Sequence, residues 1–234
     1  MQNKLKLFED IFQDKSLAVV GPSPHLEGTK LGSYIDSFDL VIRVNEIIPR
    51  SLRSDYGIKN DIIFISVTNN SIKYYKNLFD KLSNELRDVK YFICPRNSLH
   101  VTPHHLGNFR DKENIFNNFS KLNTYHELIH IGNNENDRLE SEMGFHPSTG
   151  ALTLSFLSQF KFNQLYVAGF SFYKTKKRYN SKKARMMKKA YGMNINKLPA
   201  GHNQEKEIKY LHTKFKHLKN ISGDEWFVES IINK

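Results

Sequence analysis

The sequence predicts an α/β domain with a mostly parallel central sheet flanked by helices, on three observations. Short apolar runs recur without strict alternation, as in strands covered on both faces. Helical patterns separate those runs, as parallel crossovers require. Two small-residue turns, Gly21-Pro22-Ser23 after an apolar run and Pro147-Ser148-Thr149-Gly150 before another, complete the pattern. In an open sheet such turns hold anions at strand carboxyl ends and helix N-termini.

Taken in order, the apolar runs place strands over 17–21, 40–45, 61–67, 89–95, 128–132 and 164–170. The stretch 70–86 carries Ile72, Tyr75, Leu78, Phe79 and Leu82 at helical spacing, and 148–160 is a second, more apolar helix. The segment 174–200 breaks the alternation. It is polar, basic and glycine-bearing, suited to an active-site lid between a strand and a helix. A helix follows over about 203–217, with Ile208, Leu211 and Phe215 on its apolar stripe. The tail carries the only tryptophan, Trp226, with Phe227, Ile231 and Ile232, and is expected to pack on the body. No repeat or low-complexity linker divides the chain, so one domain over residues 1–234 is expected.

Composition narrows the class. The 234 residues are 39% hydrophobic, 12% aromatic and 25% charged, which suits a packed, water-facing domain. No run approaches the roughly 20 apolar residues of a membrane span, and Met1 to Lys6 lead into no apolar signal core. A cytoplasmic or membrane-peripheral location is therefore expected. The single cysteine, Cys94, excludes an intrachain disulfide and reads as a buried strand thiol. The net charge of +11 favours an anionic partner. Much of it lies in Lys174, Lys176, Lys177, Arg178, Lys182, Lys183, Arg185, Lys188 and Lys189. That run reads equally as a solvated loop, a membrane-surface contact or a nucleic-acid contact.

Glycine at position 21 lets backbone approach a phosphate, and Ser23 adds a hydroxyl donor. The turn lacks the spacing of a dinucleotide fingerprint. Asn45 closes the second strand with an amide that can read a base or ribose, or cap the next turn. His126-Glu127-Leu128-Ile129-His130 matches HExxH, which binds zinc only on a helix; the same residues also read as a strand. His100, His104 and His105 around Pro103 read as loop residues, metal ligands or acceptor contacts. No Asp-x-Asp triplet occurs, so no metal-bound nucleoside diphosphate and no cofactor are expected.

Taken together, these blocks resemble glycosyltransferase family 29, the animal-type sialyltransferases. The stretch from Val19 through Asp39-Leu40-Val41-Ile42-Arg43-Val44-Asn45 is similar to the long sialyl motif. Pro147-Ser148-Thr149-Gly150 through Val167-Ala168-Gly169-Phe170-Ser171 is similar to the short motif. His202, five residues before Glu207, is similar to the very short motif. Tyr173, Tyr179 and Gly201-His202 also resemble positions in the bacterial sialyltransferases of family 42.

The resemblance implies a single GT-A-like (Rossmann-like) domain and inverting transfer of sialic acid from a CMP donor to an acceptor glycan or glycolipid. It implies that Gly21, Pro22, Ser23, Asn45, Ser148, Thr149, Gly150 and Phe170 line the nucleotide site. Tyr173 and Tyr179 would stabilise the leaving phosphate, and His202 would act as base. Those residue types suit the chemistry. Negative charge gathers on a departing phosphate, and an imidazole of pKa about 6.5 can take a hydroxyl proton. Glu207 would orient His202 or cap the following helix. The chain departs from the family at Pro22, where asparagine is usual, and in lacking the cysteine pair that joins the two motifs. The histidine-aromatic pair of family 29 has only Ala190-Tyr191-Gly192 as a counterpart, so its role could pass to Tyr179 or Tyr191. A related CMP-ketosugar such as CMP-Kdo thus stays open, beside a basic nucleic-acid or membrane-surface binding protein without catalysis.

Overall fold

The structure is a computed structural model that describes residues 2–45, 50–65, 88–95, 127–131, 133–145, 147–172 and 203–233. Seven strands form one sheet: β1 (Ser16–Val20), β2 (Leu40–Val44), β3 (Ile62–Phe64), β4 (Tyr91–Cys94), β5 (Glu127–His130), β6 (Gln164–Ala168) and β7 (Ile221–Gly223). Their order is β5-β4-β3-β2-β1-β6-β7, and every adjacent pair is parallel. The chain winds outward from β1 to β5, then returns to β6 on the other side of β1. The strand order therefore reverses between β1 and β6. Ligands of open α/β sheets bind at such a switch point.

All six strands expected from the sequence are present, each within a few residues of the expected bounds. The seventh, β7, was not legible. Ile221-Ser222-Gly223 is too short and too polar to announce a strand, and pairing with Leu165, Tyr166 and Val167 of β6 defines it. The zinc reading of 126–130 does not hold, because Glu127–His130 is strand β5. An HExxH pair needs a helical turn to bring both histidines to one metal, whereas in an extended strand positions four apart are separated by about 13 Å of backbone. His126 itself, the helix expected over 70–86, His100, His104, His105 and the lid segment 174–200 lie outside the described residues.

The described helices include α1 (Gln2–Phe12), α2 (Gly32–Asp36), α3 (Arg53–Tyr56), α4 (Asn133–Met143), α5 (Thr149–Leu157) and α6 (Gln204–Phe215), and short helical turns follow over Glu225–Phe227 and Val228–Ile232. Strand residues alternate between two cores. Leu17, Val19, Ile42, Val44, Leu165 and Val167 join the larger core with Phe8 and Phe12 of α1, Phe156 of α5 and Leu211 of α6. Ala18, Val20, Val41, Tyr166 and Ala168 join the smaller core with Leu26, Ile35, Phe38 and Tyr56. This period-2 division is the pleat at work.

Helix α5 is apolar on every side because it is buried on every side, from Ala151 through Leu157. Helix α1 was not expected, although Leu5, Phe8, Ile11 and Phe12 share one helix face at three- and four-residue spacing. It is held by Phe8 edge-on to Phe156, with centroids 5.0 Å apart, and by Phe12 against Phe160 at 5.4 Å. Cys94 is buried in β4, as expected. Helix α6 buries Ile208, Leu211 and Phe215, the stripe read from its spacing.

Candidate active site

At the switch point two glycine turns meet. The Gly21 N–H donates to the Ala168 carbonyl at 2.8 Å, and the Ser23 N–H donates to the Gly169 carbonyl at 3.1 Å. The backbones are so close that a Cβ on Gly21 would strike the Gly169 carbonyl oxygen, and one on Gly169 would strike that of Gly21. Gly169 also has φ of +75°, in the left-handed region that L side chains avoid. Both motifs thus need glycine here for a shared steric reason.

A third wall is the head of α5. Ser148 is its N-cap, its Oγ accepting from the Ala151 N–H at 3.1 Å. The Phe170 ring is buried beside Gly21 and lies 2.8 Å from where a Cβ on Gly150 would sit. Gly21, Ser23, Gly150 and Phe170, distant in the chain, are thus brought to one crevice. Asn45 stands at the end of β2 with φ of 62°, its N–H donating to Phe64 O at 2.7 Å. Thr149 is buried, and its carbonyl accepts from Thr153 Oγ1. Phe172 holds φ of 46°, an uncommon conformation for a bulky side chain, at the point where the chain leaves the crevice. Tyr173, Tyr179 and His202 lie outside the described residues.

Several motif residues prove to hold this crevice from behind. Arg43 is fully buried on the smaller-core face. Its Nη1 donates to Tyr56 O at 2.8 Å, its Nη2 to Lys59 O at 2.8 Å, and its Nε to Asn60 Oδ1 at 3.0 Å. The arrangement satisfies a buried guanidinium with neutral acceptors. Tyr56, also fully buried, donates its hydroxyl to the Ser23 carbonyl at 2.6 Å. Burial pushes the Tyr56 phenol well above its ordinary pKa, which keeps it a donor. Asp39 accepts from both the N–H and the hydroxyl of Ser16 at 2.7 Å, pinning the starts of β1 and β2. Those hydrogen bonds hold its carboxyl below the usual range. Asp55 is likewise lowered by the backbone N–H groups of Gly28 and Lys30, which fasten the loop after the Ser23 turn.

Glu207 corrects one expectation. The N-cap of α6 is Asn203, whose Oδ1 accepts from the Lys206 N–H at 3.0 Å. The buried Glu207 carboxylate reaches Ser148 instead, accepting its N–H at 2.7 Å and its hydroxyl at 2.8 Å. A negative group at the head of α5 is favoured by that helix's dipole. It ties the very short motif to the short motif, and it commits the Ser148 hydroxyl proton to the fold. Among the described residues no group of three or more His, Cys, Asp or Glu side chains could hold a metal.

Two residues of the crevice wall went unnoticed in the sequence. Asp224, directly after β7, accepts from Gly169 N–H at 2.7 Å, from Phe227 N–H at 2.9 Å and from His25 Nε2 at 2.8 Å. His25 Nδ1 lies 2.9 Å from Ser23 Oγ. His25 and Asp224 are 199 positions apart, and only the pairing of β7 with β6 joins them. No local signal could have revealed it.

A parallel sheet with glycine turns meeting at its strand switch, beside a helix head, defines an open α/β protein of the class that takes its ligands at that point. A model of glycosyltransferase family 29 (sialyltransferase) matches residues 13–218, and the chain belongs to that family. It is a CMP-sugar-dependent glycosyltransferase. Two crystal structures of a mammalian sialyltransferase share its fold, one of them in complex with Gal-beta-1-3GalNAc-ortho-nitrophenol. Each is 18% identical, with a TM-score of 0.52 over 93% of this chain and 71% of the other. No curated protein matches the chain. Among the described residues no helix is long and apolar enough to cross a membrane.

Proposed function

We propose that the chain transfers sialic acid from CMP-sialic acid to an acceptor glycan or glycolipid with inversion, using His202 as general base and no metal. The observation that supports this most is the crevice between β1 and β6, where Gly21, Ser23, Gly150 and Phe170 converge from two separate motifs. The Gly21–Ser23 turn, Asn45 and the head of α5 at Ser148, Thr149 and Gly150 hold the nucleotide, with Pro22 in place of a side-chain donor. Tyr173 and Tyr179 donate to the phosphate as the glycosidic bond breaks, and His202 takes the acceptor hydroxyl's proton. A monophosphate leaving group carries less charge than a diphosphate, so neutral donors suffice. The catalytic domain is the whole chain, with 174–200 as its lid.

Incubation with CMP-sialic acid and acceptor, with and without chelator, tests the reading through CMP release. Turnover unchanged by chelator is expected; activity only with added metal would remove the metal-free mechanism. His202→Ala is expected to abolish transfer while CMP binding stays within a few-fold of wild type. Equal activity would remove His202 from the chemistry. CMP-Kdo in a parallel assay decides the sugar, since Pro22 alters one nucleotide contact. A cytoplasmic or membrane-peripheral location belongs to the same proposal, with the basic run from Lys174 to Lys189 as the surface that would meet anionic lipid. Family membership leaves the non-catalytic reading of that run without support.

A further inference from the structure

We infer that His25 and Asp224 are positioning residues for the nucleotide. They form a hydrogen-bonded chain that aims the Ser23 hydroxyl from behind the crevice, which rests on reading the crevice as the CMP site. The chain runs Asp224 Oδ2, His25 Nε2, His25 Nδ1, Ser23 Oγ, with steps of 2.8 and 2.9 Å at its two ends. His25 and Asp224 are nearly sealed from water, with side chains 8% and 6% exposed. The imidazole also stacks on Trp226, with centroids 4.9 Å apart and planes 13° from parallel.

Stacking alone would be served as well by a phenyl ring, which carries no buried polar atoms. Both imidazole nitrogens are instead engaged, so the ring cannot flip without losing a bond at each end.

The direction of the chain follows from Asp224. Its two oxygens already accept the Gly169 and Phe227 N–H groups, which can only donate. The ring nitrogen facing Oδ2 is therefore the donor, and the neutral imidazole carries its hydrogen on Nε2. In that neutral form Nδ1 accepts, and the inference is that Ser23 Oγ–H donates to it. A carboxylate holding one imidazole tautomer is a familiar device for orienting a hydroxyl. Here the consequence is specific. With its proton turned toward His25, Ser23 meets a ligand as an acceptor. That suits a ribose hydroxyl or the cytosine amino group and not a phosphate oxygen, which reverses the donor role expected of Ser23 from the sequence.

His25→Phe keeps the Trp226 stack and removes both bonds, while Ser23→Ala removes the far end. Calorimetry with cytidine and with CMP is the measurement. Each variant is expected to bind both ligands roughly five- to tenfold more weakly, the value of about one hydrogen bond. The double variant should be no weaker than the worse single variant within twofold, because the residues act as one chain. The donor KM should rise with kcat held within twofold. Wild-type affinity in His25→Phe, a loss confined to CMP, or additive losses would each overturn the inference. Should His25→Phe fail to fold, nitrogen NMR of the wild-type ring decides. Hydrogen on Nε2 alone supports the inference, and hydrogen on Nδ1, in the other tautomer or in a doubly protonated ring, overturns it. Wild-type protein that binds neither ligand would remove the CMP reading and this inference together, whereas wild-type binding with unaltered variants removes only the latter.

Discussion

The two faces of the sheet are built on different principles. One is packed by Phe8, Phe12, Phe156 and Phe160 with aliphatic strand residues, and its buried polar tie, from Glu207 to Ser148, lies at the head of α5. The other is smaller, and behind it lie Arg43, Tyr56 and Asn60 in a buried polar network that reaches the Ser23 turn. Apolar packing is tolerant of shape and rich in free energy, whereas a buried polar network is geometrically exacting. The first face supplies stability. The second braces the Ser23 side of the crevice, with Arg43 of the long motif bound to the Tyr56 carbonyl and the Tyr56 hydroxyl bound to Ser23.

Substitutions on each face can break that division. Phe156→Ala is expected to have the largest effect, a loss of about 3–5 kcal/mol in unfolding free energy from the cavity it leaves. Nucleotide affinity of the folded fraction should stay within twofold. Chemical denaturation and calorimetry measure the two, and a large fall in affinity at full folding would end the division. Glu207→Gln comes next. Its amide cannot accept from both the N–H and the hydroxyl of Ser148, so about 2 kcal/mol should be lost. Turnover should fall with it, since the head of α5 loosens.

Tyr56→Phe removes one buried bond to Ser23 O and should cost about 1–2 kcal/mol, with a rise in donor KM that Phe156→Ala does not show. Equal donor KM values in the two variants would argue that the polar face has no special hold on the crevice.

The smallest effect is in acid. Asp55 is held below the ordinary carboxylate range by backbone N–H groups, so its contribution is present above the unfolded pKa of about 3.9. It is lost as pH falls through the lower folded value. Asp55→Asn should therefore flatten the acid limb of the stability curve below about pH 4 and leave the neutral region's slope unchanged. An unaltered acid limb would show that the loop tie is not coupled to folding.

The motifs told which residues matter better than what they do. Gly21 and Gly169 were legible through the motif resemblance, since a glycine turn after a strand is common by itself, and their mutual contact explains both. Ser148 was legible as a helix start, yet its hydroxyl proton serves Glu207. Arg43 and Asp39 sit in the long motif, but their tasks are bracing the loop at 56–60 and joining two strand starts. Glu207 was read as orienting His202 or capping the helix start, since sequence reasoning looks to near neighbours. Its partner lies 59 positions away.

By itself the sequence determined the alternation of strands and helices, the parallel sheet, the apolar helix after Ser148 and the family. Each is written in local periodicity or in short runs whose chemistry needs particular residue types. Only the tertiary structure decided that β6 returns beside β1, that β7 exists, and that Asp224, His25 and Ser23 form one chain. Those facts depend on which distant segments pair, and pairing is a property of the closed sheet and not of any window along the chain.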